Sequence, residues 1–141
     1  MSKTIQEKSM ILGIGTDIVV IARIENIIER RQSAFLRRCF TPQEQEGALR
    51  IAALSRRAAF LAKRFAAKEA AVKAMGTGFD GRFGPKDIGV ERAENGAPRL
   101  VFYGAALNVL QALAPEGVWA HLSLSDEGGA ALAFVVLERC S

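Results

Sequence analysis

The chain has 141 residues, half of them hydrophobic and 24% charged, with a formal charge of +4. This is the composition of one globular domain able to bury a core without staples, and it excludes a disordered or disulfide-built chain. The mild basic excess favours an anionic partner or substrate without naming one.

The first ten residues, MSKTIQEKSM, read as a loose polar arm with no apolar run of signal-peptide length, and the domain is expected over residues 11–141. ILGIGTD predicts a short strand with Gly13, Gly15 and Asp17 on one face, where glycine marks the close approach of another group. DIVVIARIENIIERR predicts a helix capped by Asp17, with Val20, Ile21, Ile24, Ile27 and Ile28 toward the core. Arg23, Asn26 and Arg30 share its other face. Thr41, Pro42 and Glu44 form a capping-box start for a second helix. A third is expected from about Arg56 to Met75, with Gly76 near its C-cap.

The glycine-rich GTGFDGRFGP reads as a loop. Two strands then meet around Asn95 and Gly96, a strong hairpin signal. GAALNVLQALAPEG predicts a short helix, and VWAHLSLS and ALAFVVLE pair across the turn DEGG. Alternation sets Val118, Ala120, Leu122 and Leu124 against Trp119, His121, Ser123 and Ser125. The sum is an α+β domain, helices first and mainly antiparallel strands after.

Several polar residues carry two readings. Asp17 is a helix cap or a metal ligand beside glycines that open space. Glu69 and Lys73, four apart, suit a surface ion pair. Lys68 lies inside the apolar sector of Phe60, Leu61, Phe65, Val72 and Met75, with Arg64 at its edge. Such charges need an anionic partner, a ligand or a route to water, and a phosphate would satisfy both. His121, the sole histidine, is structural or ligand-contacting. The basic face of the first helix is solvated or docks an acidic surface. No Walker motif, GxGxxG or GxSxG is present. Cys39 and Cys140 show no metal-binding spacing and are expected as reduced thiols of a soluble cytoplasmic protein. No segment approaches the roughly 20 apolar residues of a membrane span. Nucleic acid is disfavoured as a partner by the lack of an aromatic platform.

Taken in order, ILGIGTDIVVIARI, FTPQEQE, FLAKRFAAKEAAVKAMGTG, KDIGVERAENGAPRL, HLSLSDE and AFVVLE resemble the holo-acyl-carrier-protein synthase family of 4′-phosphopantetheinyl transferases, over about residues 11 to 138. The resemblance implies the family's fold and its reaction. The phosphopantetheine arm of coenzyme A passes to a serine of acyl carrier protein in a magnesium-dependent step that releases adenosine 3′,5′-bisphosphate.

It further implies Asp17 and Glu69 as metal ligands and Lys73 as a stabiliser of phosphate charge, these three being the catalytic set. Arg64, Lys68, Lys73, Gly76 and His121 become coenzyme-binding residues, with Arg64 and Lys68 holding phosphate or bracing the carboxylates. Arg23, Asn26 and Arg30 become the carrier-docking face. A homotrimer with active sites between subunits is implied as well. Val20 and Asp126 depart from residues common in the family, acidic and histidine respectively. The rival to this reading is a non-enzymatic basic α+β module binding an acidic protein or nucleic acid.

Overall fold

The computed structural model describes residues 10–141, so the expected polar arm lies outside the described residues apart from Met10. In chain order the elements are β1 (Ile11–Val20), α1 (Ile21–Cys39), α2 (Pro42–Leu49), α3 (Leu54–Met75), a 3-10 turn (Pro85–Asp87), β2 (Ile88–Arg92), β3 (Pro98–Phe102), α4 (Gly104–Gln111), β4 (Val118–Glu127) and β5 (Ala130–Arg139). One sheet has the order β1-β5-β4; β2 and β3 form a separate hairpin. Every pairing is antiparallel, in keeping with the expected α+β class.

The long helix α3 organises the domain. It is rich in alanine, free of proline, and closed by Gly76 in the left-handed conformation at φ 78°, where glycine alone is unstrained. Ala66, Ala67, Ala70, Ala71 and Ala74 are at most 5% exposed and lie with Val135 and Leu137 in the larger core cluster. Small side chains let helix and sheet approach closely. At Gly13 and Gly15 a Cβ would stand 1.8 Å from the Ala74 carbonyl oxygen and 1.9 Å from that of Ala70. No side chain fits at either position, so these glycines set the distance between β1 and α3.

The capping box at the start of α2 is formed as expected, Thr41 Oγ1 accepting from the Glu44 amide and Glu44 Oε1 from the Thr41 amide. Alternation in β4 also holds, with Val118, Ala120, Leu122 and Leu124 packed on the core and Trp119 62% exposed.

The start of α1 differs from expectation. β1 runs through Asp17 to Val20, and the N-cap of α1 is Val20, with no side-chain cap. Asp17 therefore caps nothing; pairing with β5 as far as Val20–Ala130 holds this stretch extended, overriding the helical period of its sequence. Val20 points outward at 56% exposure, whereas Ile24 and Ile28 do enter the core. The expected end of this helix near Arg31 appears as a kink, since Arg31 has non-helical φ and ψ before the helix resumes to Cys39.

Candidate functional site

Asp17 lies on the face of β1 turned toward α3, in one cross-sheet row with Ala133 and Leu124. Glu69, partly buried on α3, shares with it a cavity of about 320 Å³ that Arg23, Phe35 and Phe65 also line. Lys73, one turn beyond Glu69, donates to Asp17 Oδ1 at 3.1 Å and to the Thr16 carbonyl at 2.9 Å. The expected surface pairing of Glu69 with Lys73 is thus replaced by a bridge from Lys73 to Asp17, because the close helix–strand approach puts the Asp17 carboxylate within reach. Burial and, after it, the Asp17 charge raise the Glu69 carboxyl above its ordinary value, with Lys73 opposing.

Two hard oxygen donors that repel one another beside an open cavity suit a small dication, one that keeps water and phosphate oxygens among its ligands. Among the described residues no group of three or more His, Cys, Asp and Glu side chains forms a metal cage. The available donor set is the pair of carboxylates, Asp17 and Glu69.

The remaining predicted residues are distributed unevenly. Gly76 ends α3 with open space where a side chain would be. Arg64 stacks on Phe60, its guanidinium carbon 3.6 Å from the ring centroid, and lines a cavity of about 180 Å³ with Lys63, Arg92, Gly96 and Pro98. Burial lowers its pKa to about 10, against the opposing charge of Glu44 and with a small contribution from Arg92. Two cations from α3 and one from β2, of which Lys63 also pairs with Asp126 at 3.7 Å, leave that cavity suited to an anion.

Lys68 requires a correction. It is 1% exposed, and its ammonium donates to Glu44 Oε1 at 2.7 Å, the Ile88 carbonyl at 2.6 Å and the Pro85 carbonyl at 3.1 Å. All three protons are engaged, so Lys68 neither reaches a phosphate nor bonds to Asp17 or Glu69 directly; it answers a carboxylate that sequence reasoning treated only as a cap. The signal was present in the paradox of a lysine on an apolar stripe, but its partner lies 24 residues away in the chain.

His121 is on the opposite face of the sheet from Asp17, its Nε2 2.9 Å from Glu138 Oε1 and its ring stacked on Trp119. One chain does not bring it to the carboxylates. Arg23, Asn26 and Arg30 do share a surface, a groove of about 470 Å³ along α1 that Arg31, Phe35 and Arg38 complete.

A family model of the 4′-phosphopantetheinyl transferase superfamily matches residues 13–134. The chain belongs to that superfamily. Curated relatives include the holo-[acyl-carrier-protein] synthase of Gluconobacter oxydans, 45% identical over 131 residues, covering 92% of this chain and 83% of that protein. That of Zymomonas mobilis is 44% identical over 134 residues, covering 93% and 98%. Among solved structures, the Bacillus anthracis holo-(acyl-carrier-protein) synthase in complex with CoA (3′,5′-ADP) superposes with a TM-score of 0.77 at 36% identity, over 94% of this chain and all (100%) of that one. The Neisseria meningitidis synthase gives 0.76 at 41% identity, over 92% and 100%.

A carboxyl raised in the folded state costs stability wherever it is ionised in both states and costs nothing where it is protonated in both. Glu69→Gln is therefore expected to raise the melting temperature of this transferase at pH 7 without divalent cations. The gain should shrink as pH falls through the raised Glu69 value and vanish below the ordinary one. Melting curves of both proteins against pH check this, and a gain that persists at low pH contradicts it.

Proposed function

We infer that this chain is a holo-acyl-carrier-protein synthase. It moves the 4′-phosphopantetheine arm of coenzyme A onto a serine of apo acyl carrier protein and releases adenosine 3′,5′-bisphosphate. The observation that carries this reading is the Asp17, Glu69 and Lys73 cluster at an open cavity, in a chain that matches named synthases almost end to end.

In the reaction the serine oxygen bonds to the phosphorus bearing the pantetheine arm, the pyrophosphate bridge to that phosphorus breaks, and the serine proton is lost. Such transfers depend chiefly on positioning and charge neutralisation. Magnesium, for which Asp17 and Glu69 are the proposed ligands, supplies neutralisation of the pyrophosphate charge. Lys73 is anchored by Asp17 and the Thr16 carbonyl yet its side chain is 54% exposed, so it can present its ammonium to a phosphate. Arg64, beside Lys63 and Arg92, is proposed to hold a phosphate of the coenzyme. Gly76 offers backbone without a side chain where the coenzyme passes.

The proposed coenzyme contact at His121 belongs to a neighbouring copy. Ile14, Ile18, Val20 and Trp119, each more than half exposed, and Phe134 at 43% spread over the same outer sheet face as His121. Apolar patches of that kind mark interfaces. Copies covering it in a homotrimer would bring the histidine of one to the carboxylates of the next. The groove of Arg23, Asn26 and Arg30 is proposed to dock the acidic carrier protein, steering encounter and setting register. We assign the enzyme to the cytoplasm, in keeping with its free Cys39 and Cys140.

Mass spectrometry of apo carrier protein incubated with the enzyme, coenzyme A and magnesium is expected to show a gain of about 340 Da, lost on chelation as metal-assisted transfer requires. An unmodified carrier, with folded enzyme, defeats the reading. In the same assay Arg30→Glu, in the groove and away from the carboxylate cavity, should raise the KM for carrier protein about tenfold while that for coenzyme A stays put, as reversal of one docking charge implies; parallel rises in both would count against the groove. Mixed and reassembled, Asp17→Asn and His121→Ala chains should recover about a quarter of wild-type activity if each site draws on two subunits at random. No recovery above either variant alone would place both residues in one chain.

A further inference from the structure

Lys68 and Glu44 are the two fully buried charged residues of the described chain, at 1% and 2% exposure, and the proposed chemistry uses neither. Their bonding is saturated. While the Lys68 ammonium serves three acceptors, Glu44 Oε1 also accepts from the Thr41 amide at 2.9 Å and Oε2 accepts from the Val90 amide at 2.8 Å. The Ile88 carbonyl and the Val90 amide belong to β2, so an ion pair here occupies backbone groups of a strand that a third strand would otherwise engage. One pair of side chains thereby ties together the start of α2, the middle of α3 and the β2–β3 hairpin.

The consequence for the site follows from the surface of α3. The α3 residues that share the core with the sheet are mainly alanines, joined by Val72 and Met75, and none of these side chains carries a donor or acceptor that could fix the helix's rotation by a directional bond. Gly13 and Gly15 set how near α3 comes to β1; they do little to fix which way it is turned. Lys68 immediately precedes Glu69, and successive helical residues point about 100° apart. Three hydrogen bonds hold Lys68 toward Glu44, Pro85 and β2, and two more fix Glu44, so the pair also holds Glu69 toward Asp17. The far end of the hairpin supplies Arg92, Gly96 and Pro98 to the Arg64 cavity, so the same pair sets that wall.

We propose that Lys68 and Glu44 are positioning residues for phosphopantetheinyl transfer, a buried pair that fixes the rotation of α3 so that Glu69 and Lys73 face Asp17. This rests on the reading of Asp17 and Glu69 as metal ligands. Removing one partner leaves an uncompensated buried charge and endangers the fold, whereas replacing both by apolar side chains of similar size is commonly tolerated. The informative variant is therefore the double replacement Lys68→Met with Glu44→Leu.

The double variant should melt cooperatively. Calorimetric titration with magnesium chloride in the presence of coenzyme A should show at least about tenfold weaker metal binding than wild type, the range seen when groups supporting metal ligands are lost. The magnesium concentration for half-maximal transfer should rise by the same factor and kcat should fall, while the KM for carrier protein, which docks on α1, stays unchanged. Loss of folded protein alone would lower kcat without moving the magnesium midpoint. Wild-type magnesium binding and half-saturation in the folded double variant would overturn the positioning role. A wild-type protein that binds no magnesium in the same titration would defeat the ligand assignment itself, a separate result from failure of the pair.

Discussion

The close seating of α3 on β1 is the constraint on which the rest of this structure depends. Two glycines on the strand and a file of alanines on the helix remove the side chains that normally hold a helix and a sheet apart. Asp17 and Lys73 can then touch across the gap. Glu69 enters the same cavity one turn earlier. A larger residue at Gly13 or Gly15 would collide with helix backbone, which cannot rotate away as a side chain can. The small residues thus serve the geometry of the charged ones, at the cost of a helix face whose alanines make no directional bond.

That cost explains why a buried ion pair is kept in a domain that has apolar residues in abundance. Desolvating an ammonium and a carboxylate is expensive, and the attraction between them does not by itself make such a pair better than two packed hydrophobic groups. The burial of Lys68 accordingly lowers its pKa, with Glu44 countering through charge and hydrogen bond. What the pair offers over methyl groups is direction. Its hydrogen bonds end on backbone groups of β2, where an apolar contact would leave the Val90 amide without its acceptor.

The sheet divides the functional groups between its faces. The inner face holds Asp17 against α3; the outer one carries His121, Glu138 and an exposed apolar field that includes Trp119 and Phe134. An alternating strand cannot deliver both sets to one place within a chain. A site using both needs more than one copy, and the exposed field is the surface on which copies would meet. Arginines on α1, by contrast, open outward along a groove, so encounter with an acidic partner and assembly need not compete for the same residues.

Local chemistry determined much of this protein before any contact was known. The hairpin at Asn95 and Gly96, the capping box at Thr41, the glycine stop of α3 and the alternation of β4 are each decided by a few neighbouring residues, and the structure contains all of them. Asp17, Glu69 and Lys73 were read as a group because the chain resembles a family; the match to the superfamily model bears out the family, and the structure brings Lys73 to Asp17. Tertiary structure decided what depended on distant partners. Pairing with β5 keeps residues 17–20 extended despite their helical period, and turns Asp17 from a cap into a carboxylate that faces α3. Lys73 bridges to Asp17, which is 56 residues away, in preference to Glu69, its neighbour on the helix. Lys68, read as a phosphate ligand, is sealed against Glu44, because a buried charge finds its counterion through the fold and no periodicity in the chain records where that counterion will be.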